Sequence, residues 1–145
     1  MIARIESDLK DAMRARDEAR VATLRLTLSS LRAAEKDLGR QLKEDEELQV
    51  LQRERKRRVE SIKAFRDAGR DEQAEREEAE LSILEALLPE PLSEDELERI
   101  VDDAIAETGA TSLRDLGRVM ADVMPQVAGR ADGSGVSQLV REKLA

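Results

Sequence analysis

Over the first forty positions the apolar residues recur three or four apart. Ile2, Ile5, Leu9 and Met13 form one stripe, and Val21, Leu24, Leu28 and Leu31 form a second; this spacing gathers side chains onto one face of an α-helix. Between the stripes, Asp17-Glu18 offers a cap and an acidic first turn for the second helix, and Gly39 ends it. A third helix is expected from near Glu44 to Glu47, where the acidic run suits the positive end of the helix dipole. It carries Leu48, Leu51, Val59, Ile62 and Phe65 and closes at Gly69. Asp71 is expected to cap a fourth helix, with Ala74, Leu81, Leu84 and Leu88 as its buried stripe.

Pro89-Glu90-Pro91 stops that helix and marks the expected domain boundary, with an N-terminal domain of about four helices (1–90) before it and a three-helix domain (91–145) after it. Beyond the prolines, Ser93-Glu94-Asp95-Glu96 has the form of a capping box, in which the serine oxygen and the Glu96 carboxylate each accept from the other residue's amide. The fifth helix presents Leu97, Ile100, Val101, Ala104 and Ile105 and stops at Gly109; Ser112 with Asp115 resembles a weaker box. The sixth is expected to bury Leu113, Leu116, Met120 and Val123 before ending at Pro125. Asp132 is placed to cap the last, which carries Val136, Leu139, Val140 and Leu144. No longer-period repeat or Gly/Ser linker is visible.

Composition agrees with an all-α chain. Ala, Glu, Leu, Arg and Lys, the strongest helix formers, supply more than half of the 145 residues, while strand formers are scarce, with one Phe and no Tyr or Trp. The absence of Cys and His removes disulfides, thiolate nucleophiles, Cys/His zinc sites and imidazole acid-base chemistry. Acidic neighbours such as Asp102-Asp103 and Glu77-Glu78 show no organised catalytic partner in the sequence, so no catalytic or metal-binding role is expected of them. No catalytic residue, cofactor or metal is expected. The first residues turn charged at once, and no apolar run approaches the roughly 18 to 20 residues of a membrane span, which predicts a cytoplasmic protein without a membrane partner.

Charged residues make up 40% of the chain and the formal net charge is −8, so the molecule as a whole repels nucleic acid at long range. Leu92 divides 19 basic and 22 acidic residues from 6 and 11. Neither part is basic overall, and RNA binding would need a local patch.

Several segments read together as a family pattern. They are Ala68-Gly69-Arg70, Ala79-Glu80-Leu81, Leu87-Leu88-Pro89, Leu92-Ser93-Glu94, Glu107-Thr108-Gly109-Ala110, Gly117-Arg118-Val119-Met120, Met124-Pro125, and Gly129-Arg130-Ala131-Asp132-Gly133 followed by Val136. In this order and spacing the chain resembles the GatB/YqeY family over essentially its whole length. Its C-terminal part is similar to the tail domain of GatB, a subunit of the tRNA-dependent amidotransferase. The resemblance implies a helical module that helps to grip tRNA, without the cradle domain that carries kinase and transamidation chemistry. Lys43 stands where the family commonly has a Ser or Thr cap, and Arg55 where an apolar residue is usual.

The candidate binding residues are cations. Arg53-Glu54-Arg55-Lys56-Arg57-Arg58 is the strongest basic run. On a helix it spreads around most of the circumference, and it reads either as a solvated surface paired with flanking glutamates or as phosphate contacts from Arg53, Arg57 and Arg58. Around Gly129-Arg130-Ala131-Asp132-Gly133-Ser134, free amides before a helix could seat an anion beside Arg130, whereas Asp132 as a cap would fill that seat and repel the anion. Arg114, Arg118, Arg141 and Lys143 could complete a small patch with Arg130. Without aromatic residues to stack bases, recognition would be by backbone and shape. Three functions follow: a non-catalytic module associating with tRNA or with a protein partner of the tRNA aminoacylation and amidation machinery; a component of glutamine-dependent carbon-nitrogen ligation; or a protein-interaction module unrelated to RNA.

Overall fold

The computed structural model describes all 145 residues. It is all-helical: α1 (Ile2–Arg14), α2 (Glu18–Leu38), α3 (Glu44–Asp67), α4 (Asp71–Glu85), α5 (Glu94–Thr108), a 3-10 turn at Leu113–Asp115, α6 (Leu116–Val127) and α7 (Gly133–Leu144). No helix is long and apolar enough to cross a membrane. The helices fall into two compact units, Met1–Pro89 and Glu90–Ala145.

In the first unit α1 and α2 pack against each other and α3 pairs with α4. Asp17 caps α2 by accepting from the Arg20 amide at 3.2 Å, and Gly39 ends it at φ 69°. The core gathers Ile5 and Ala12 from α1, Leu24, Leu28 and Leu31 from α2, Val50 and Leu51 from α3, Leu84 from α4 and Leu87 from the turn just beyond it. Thr23 and Thr27 are buried among them and stay satisfied by donating to the Ala19 and Thr23 carbonyls. Met13, on the first stripe, lies half exposed.

Three expectations for α3 and α4 change. Val59 is 42% exposed and Phe65 only partly covered, while Arg58 is buried in their stead. Arg58 follows Leu51 by one heptad and lies within about 20° of it around the axis, whereas Val59 lies about 80° away. Asp71 is the first residue of α4, and Arg70 holds the N-cap position. The closing turn of α3 explains this: Gly69 at φ 74° lets the Arg70 amide donate to Phe65 O at 2.8 Å and its own amide to Arg66 O at 3.0 Å. That motif uses the chain through Arg70, and Asp71 falls in the first turn, where its carboxylate still meets the helix dipole.

The start of α3 compensates for Lys43 as a cap. An ammonium group cannot accept a hydrogen bond. Instead Glu46 accepts from the Lys43 amide at 3.1 Å and holds Arg40 through both oxygens, at 2.8 and 3.0 Å. The Arg40 guanidinium, followed by the Lys43 amide, lowers the Glu46 carboxyl to about 2.

The second unit is a small bundle of α5, α6 and α7 around Val101, Ala104, Val119, Val123, Val127, Val136, Val140 and Leu144. The Ser93 box is complete, with the Ser93 amide donating to Glu96 at 3.0 Å and the Glu96 amide to the serine oxygen at 3.2 Å. Leu113 does not join the core; it sits in the 3-10 turn, 53% exposed. Nor does α6 end at Pro125, which lies inside the helix. The proline forfeits one backbone bond, but continuing the helix buries Val127 completely beside Val123. Met120 and Met124 pack against this core.

Candidate nucleic-acid interface

Each cation singled out in the sequence either keeps its charge at the surface or is held by its own chain. On α3, Arg58 is held. It is 8% exposed, and its Nη1 donates to Glu80 Oε2 at 2.5 Å and lies 3.3 Å from Glu77 Oε2. A guanidinium covered by two carboxylates of the neighbouring helix is not presented to a phosphate, so Arg58 leaves the set of RNA candidates. Arg55, in place of the family's usual apolar residue, lies 4.0 Å from Glu85.

Arg53 and Arg57 remain at the surface. With Ser30, Ala33, Ala34, Asp37, Val50 and Glu54 they line an open groove of about 220 Å³ between α2 and α3. Arg57 lies 3.7 Å from Glu54, whose other engagement is a 2.8 Å bond from the Ser30 hydroxyl. Asp37 and Glu54 make this groove mixed in charge rather than cationic.

In the second unit three candidates do internal work. Arg130 Nε donates to the Glu90 carbonyl at 2.9 Å while the Leu92 amide donates to Arg130 O at 2.9 Å, so the turn before α7 is fastened to the segment entering α5. Arg118 donates to Thr108 O at 3.2 Å, satisfying a carbonyl at the end of α5, and to Asp115 at 2.6 Å. Lys143 bonds Asp102 at 2.9 Å, which raises the lysine's pKa. Asp115 is held below the ordinary carboxylate value, first by the Thr111 amide and then by Arg118. Arg114 and Arg141 are exposed. These five cations have no common acceptor; Arg118, Arg130 and Lys143 each serve a different part of the bundle.

Asp132 occupies the N-cap position of α7 and accepts from the Ser134 hydroxyl at 2.5 Å. It makes no side-chain cap bond to the amides of the first turn, so the cap expected of Asp132 is not formed and its carboxylate is engaged by the Ser134 hydroxyl instead. The turn is built by Gly129, at φ 72°. Sequence spacing could not reveal the main-chain acceptors, Glu90 O for Arg130 and Thr108 O for Arg118, because backbone acceptors leave no mark in residue identity; the Asp115 partner of Arg118, three residues away, is the kind of pair spacing does show.

Known proteins match the chain over different parts of its length. A fungal protein of Pyrenophora tritici-repentis, altered inheritance of mitochondria protein 41, is 30% identical over 145 residues, covering 98% of this chain and 80% of its own. An uncharacterized protein of Schizosaccharomyces pombe is 34% identical over 89 residues, covering 61% of this chain and 72% of its own. A glutamyl-tRNA(Gln) amidotransferase component of Thermococcus gammatolerans is 40% identical over 57 residues, which is 37% of this chain and 9% of that much longer protein. The model of the YqeY-like protein family matches residues 2–144. The chain therefore belongs to the YqeY-like family.

Proposed function

We propose that this chain is a non-catalytic accessory module that associates with folded tRNA, most directly in the setting of tRNA-dependent amidation. The observation that carries the reading is the 40% identity over 57 residues to an amidotransferase component whose name carries glutamyl-tRNA(Gln). The side chains available to serve it are Arg114 and Arg141 in the second unit, and Arg53 and Arg57 on α3. With few available cations and no stacking aromatics, the contact is to phosphates and shape. We assign no ligase reaction to the chain by itself: it spans 9% of the amidotransferase component, and the sequence holds no Gly-rich phosphate loop.

Titration of the purified protein against folded tRNA and a length-matched unstructured RNA, at about 50 and about 200 mM salt, tests this, because each neutralised phosphate adds close to one to the salt slope. Preference for tRNA with a slope that falls on replacing Arg114 and Arg141 is expected. Absence of binding to either RNA at the lower salt sinks the proposal.

One observation favours a second reading, docking onto a protein of the same machinery. The net charge is −8, and Arg118, Arg130 and Lys143 are engaged by their own unit. Binding of a purified amidotransferase component that survives nuclease treatment and persists at about 200 mM salt, where phosphate contacts weaken, would select this reading over the first.

A further inference from the structure

The α3–α4 hairpin is held by two different chemistries along its length. Every apolar side chain it gives to the core of its unit comes from near one end: Leu48, Val50 and Leu51 on α3, and Ile83, Leu84, Leu87 and Leu88 at and just beyond the finish of α4. Between Leu51 and Ile83 the hairpin contributes none. Ala74 is buried, yet it belongs to no core cluster, and Ile62 and Phe65 are only partly covered.

Ion pairs between the helices take over there. Arg58 reaches Glu77 and Glu80, and Arg66 reaches Glu78 at 2.6 Å and Asp71 at 3.6 Å. Of these cations only Arg58 is buried, and its Nε has no hydrogen-bond partner. Apolar burial is strong and insensitive to salt, whereas exposed pairs are weak and screened. A segment tied mainly by the second kind of contact opens before the segment tied by the first.

We propose that the outer part of the hairpin, from Arg58 to Glu80, opens as a cooperative unit of its own while the rest of Met1–Pro89 stays folded, with Arg58 between Glu77 and Glu80 as its latch. Opening bares Ile62 and Phe65, so the arm alternates between a closed, charged surface and an open, apolar one. Ionic strength shifts that balance by screening the Arg66 pairs, and loss of the Arg58 pairing shifts it further.

Amide hydrogen exchange on the full chain tests the inference. Amides of residues 60–78 should exchange about tenfold or more faster than those of Leu24, Leu28 and Leu31. Arg58→Ala should speed the first group further, by about tenfold or more, the fold-change that its loss of pairing implies. Glu80→Gln, a milder change that keeps the fold if Arg58→Ala does not, should act in the same direction on the same amides, as should raising sodium chloride from about 0.05 to about 0.5 M. Exchange of 60–78 at the rate of the α2 amides in the unmodified chain would show one cooperative unit and overturn the proposal, as would unchanged exchange of 60–78 in Glu80→Gln.

Discussion

Arg58 Nη1 on α3 lies 2.5 Å from Glu80 Oε2 on α4, at the position one heptad after Leu51 where an apolar residue would extend the core face. Removing the guanidinium leaves Glu77 and Glu80 beside each other with no counter-charge. Breaking a buried pair from one side costs several kcal/mol, but both glutamates keep about a quarter of their side-chain surface in water. The expected loss for Arg58→Ala is therefore about 2 kcal/mol. Arg58→Met, which refills the space but leaves both glutamates without their counter-charge, should recover only the packing part of that loss. Urea unfolding of the three proteins checks this, and equal midpoints for all three would show that the pair does not hold the hairpin.

The reciprocal bonds of Ser93 and Glu96 predict that Ser93→Ala destabilises the second unit by about 1 kcal/mol, the usual worth of a serine N-cap. Ser93→Asp, which keeps an acceptor for the Glu96 amide, should recover most of that loss. Thermal denaturation followed by amide signals of Val101 and Val136 separates this unit from the other.

What was legible in the sequence was what the chain satisfies within three or four residues of itself. Asp17 with Arg20, Ser93 with Glu96, and the glycine stops at 39 and 109 all close over such distances, and their residue types state the bond they will make. The side of a helix that faces its neighbour is a property of the pair of helices, and there the reading failed: apolar Val59 suggested the buried face of α3 that Arg58 occupies. Pro125 misled in a similar way, because its local preference to end a helix is weaker than the burial of Val127 a fraction of a turn further on. For the candidate interface the cations were visible, and so were near partners such as Glu54 for Arg57 and Asp115 for Arg118, but the distant ones were not. Arg130 and Arg118 find carbonyls 40 and 10 residues away, and no side-chain pattern announces a carbonyl.

Acid should loosen the start of α3. The Glu46 carboxyl stands at about 2, below its ordinary value of 4.5, held first by Arg40 and then by the Lys43 amide. A carboxyl whose folded value is depressed contributes stability that is present above its unfolded value and is lost as pH falls through the folded one. The contribution of Glu46 is thus intact above about pH 4.5 and disappears toward about pH 2. Glu46→Gln should flatten this part of the acid-unfolding curve of the first unit while leaving the second unit's curve, which depends on Glu96 and Asp115 in the same direction, as it was. An unchanged slope below pH 4.5 in Glu46→Gln would show that the Arg40 pairing does not persist in solution.

The cations of the second unit are best probed through those that its fold does not use. Arg130→Ala frees the Glu90 carbonyl and Arg118→Ala frees that of Thr108, and each should cost about 1 kcal/mol of stability whether or not RNA binds. A loss of tRNA affinity in either variant would therefore mix two causes. Arg114→Ala and Arg141→Ala should change stability by no more than about 0.5 kcal/mol, since both side chains are exposed. If the chain binds tRNA through phosphates, each of these two should lower the slope of log affinity against log salt by about one. If instead binding is lost only in Arg130→Ala and Arg118→Ala, in step with their stability and with the slope unchanged, the RNA contact depends on the shape of the bundle rather than on these charges.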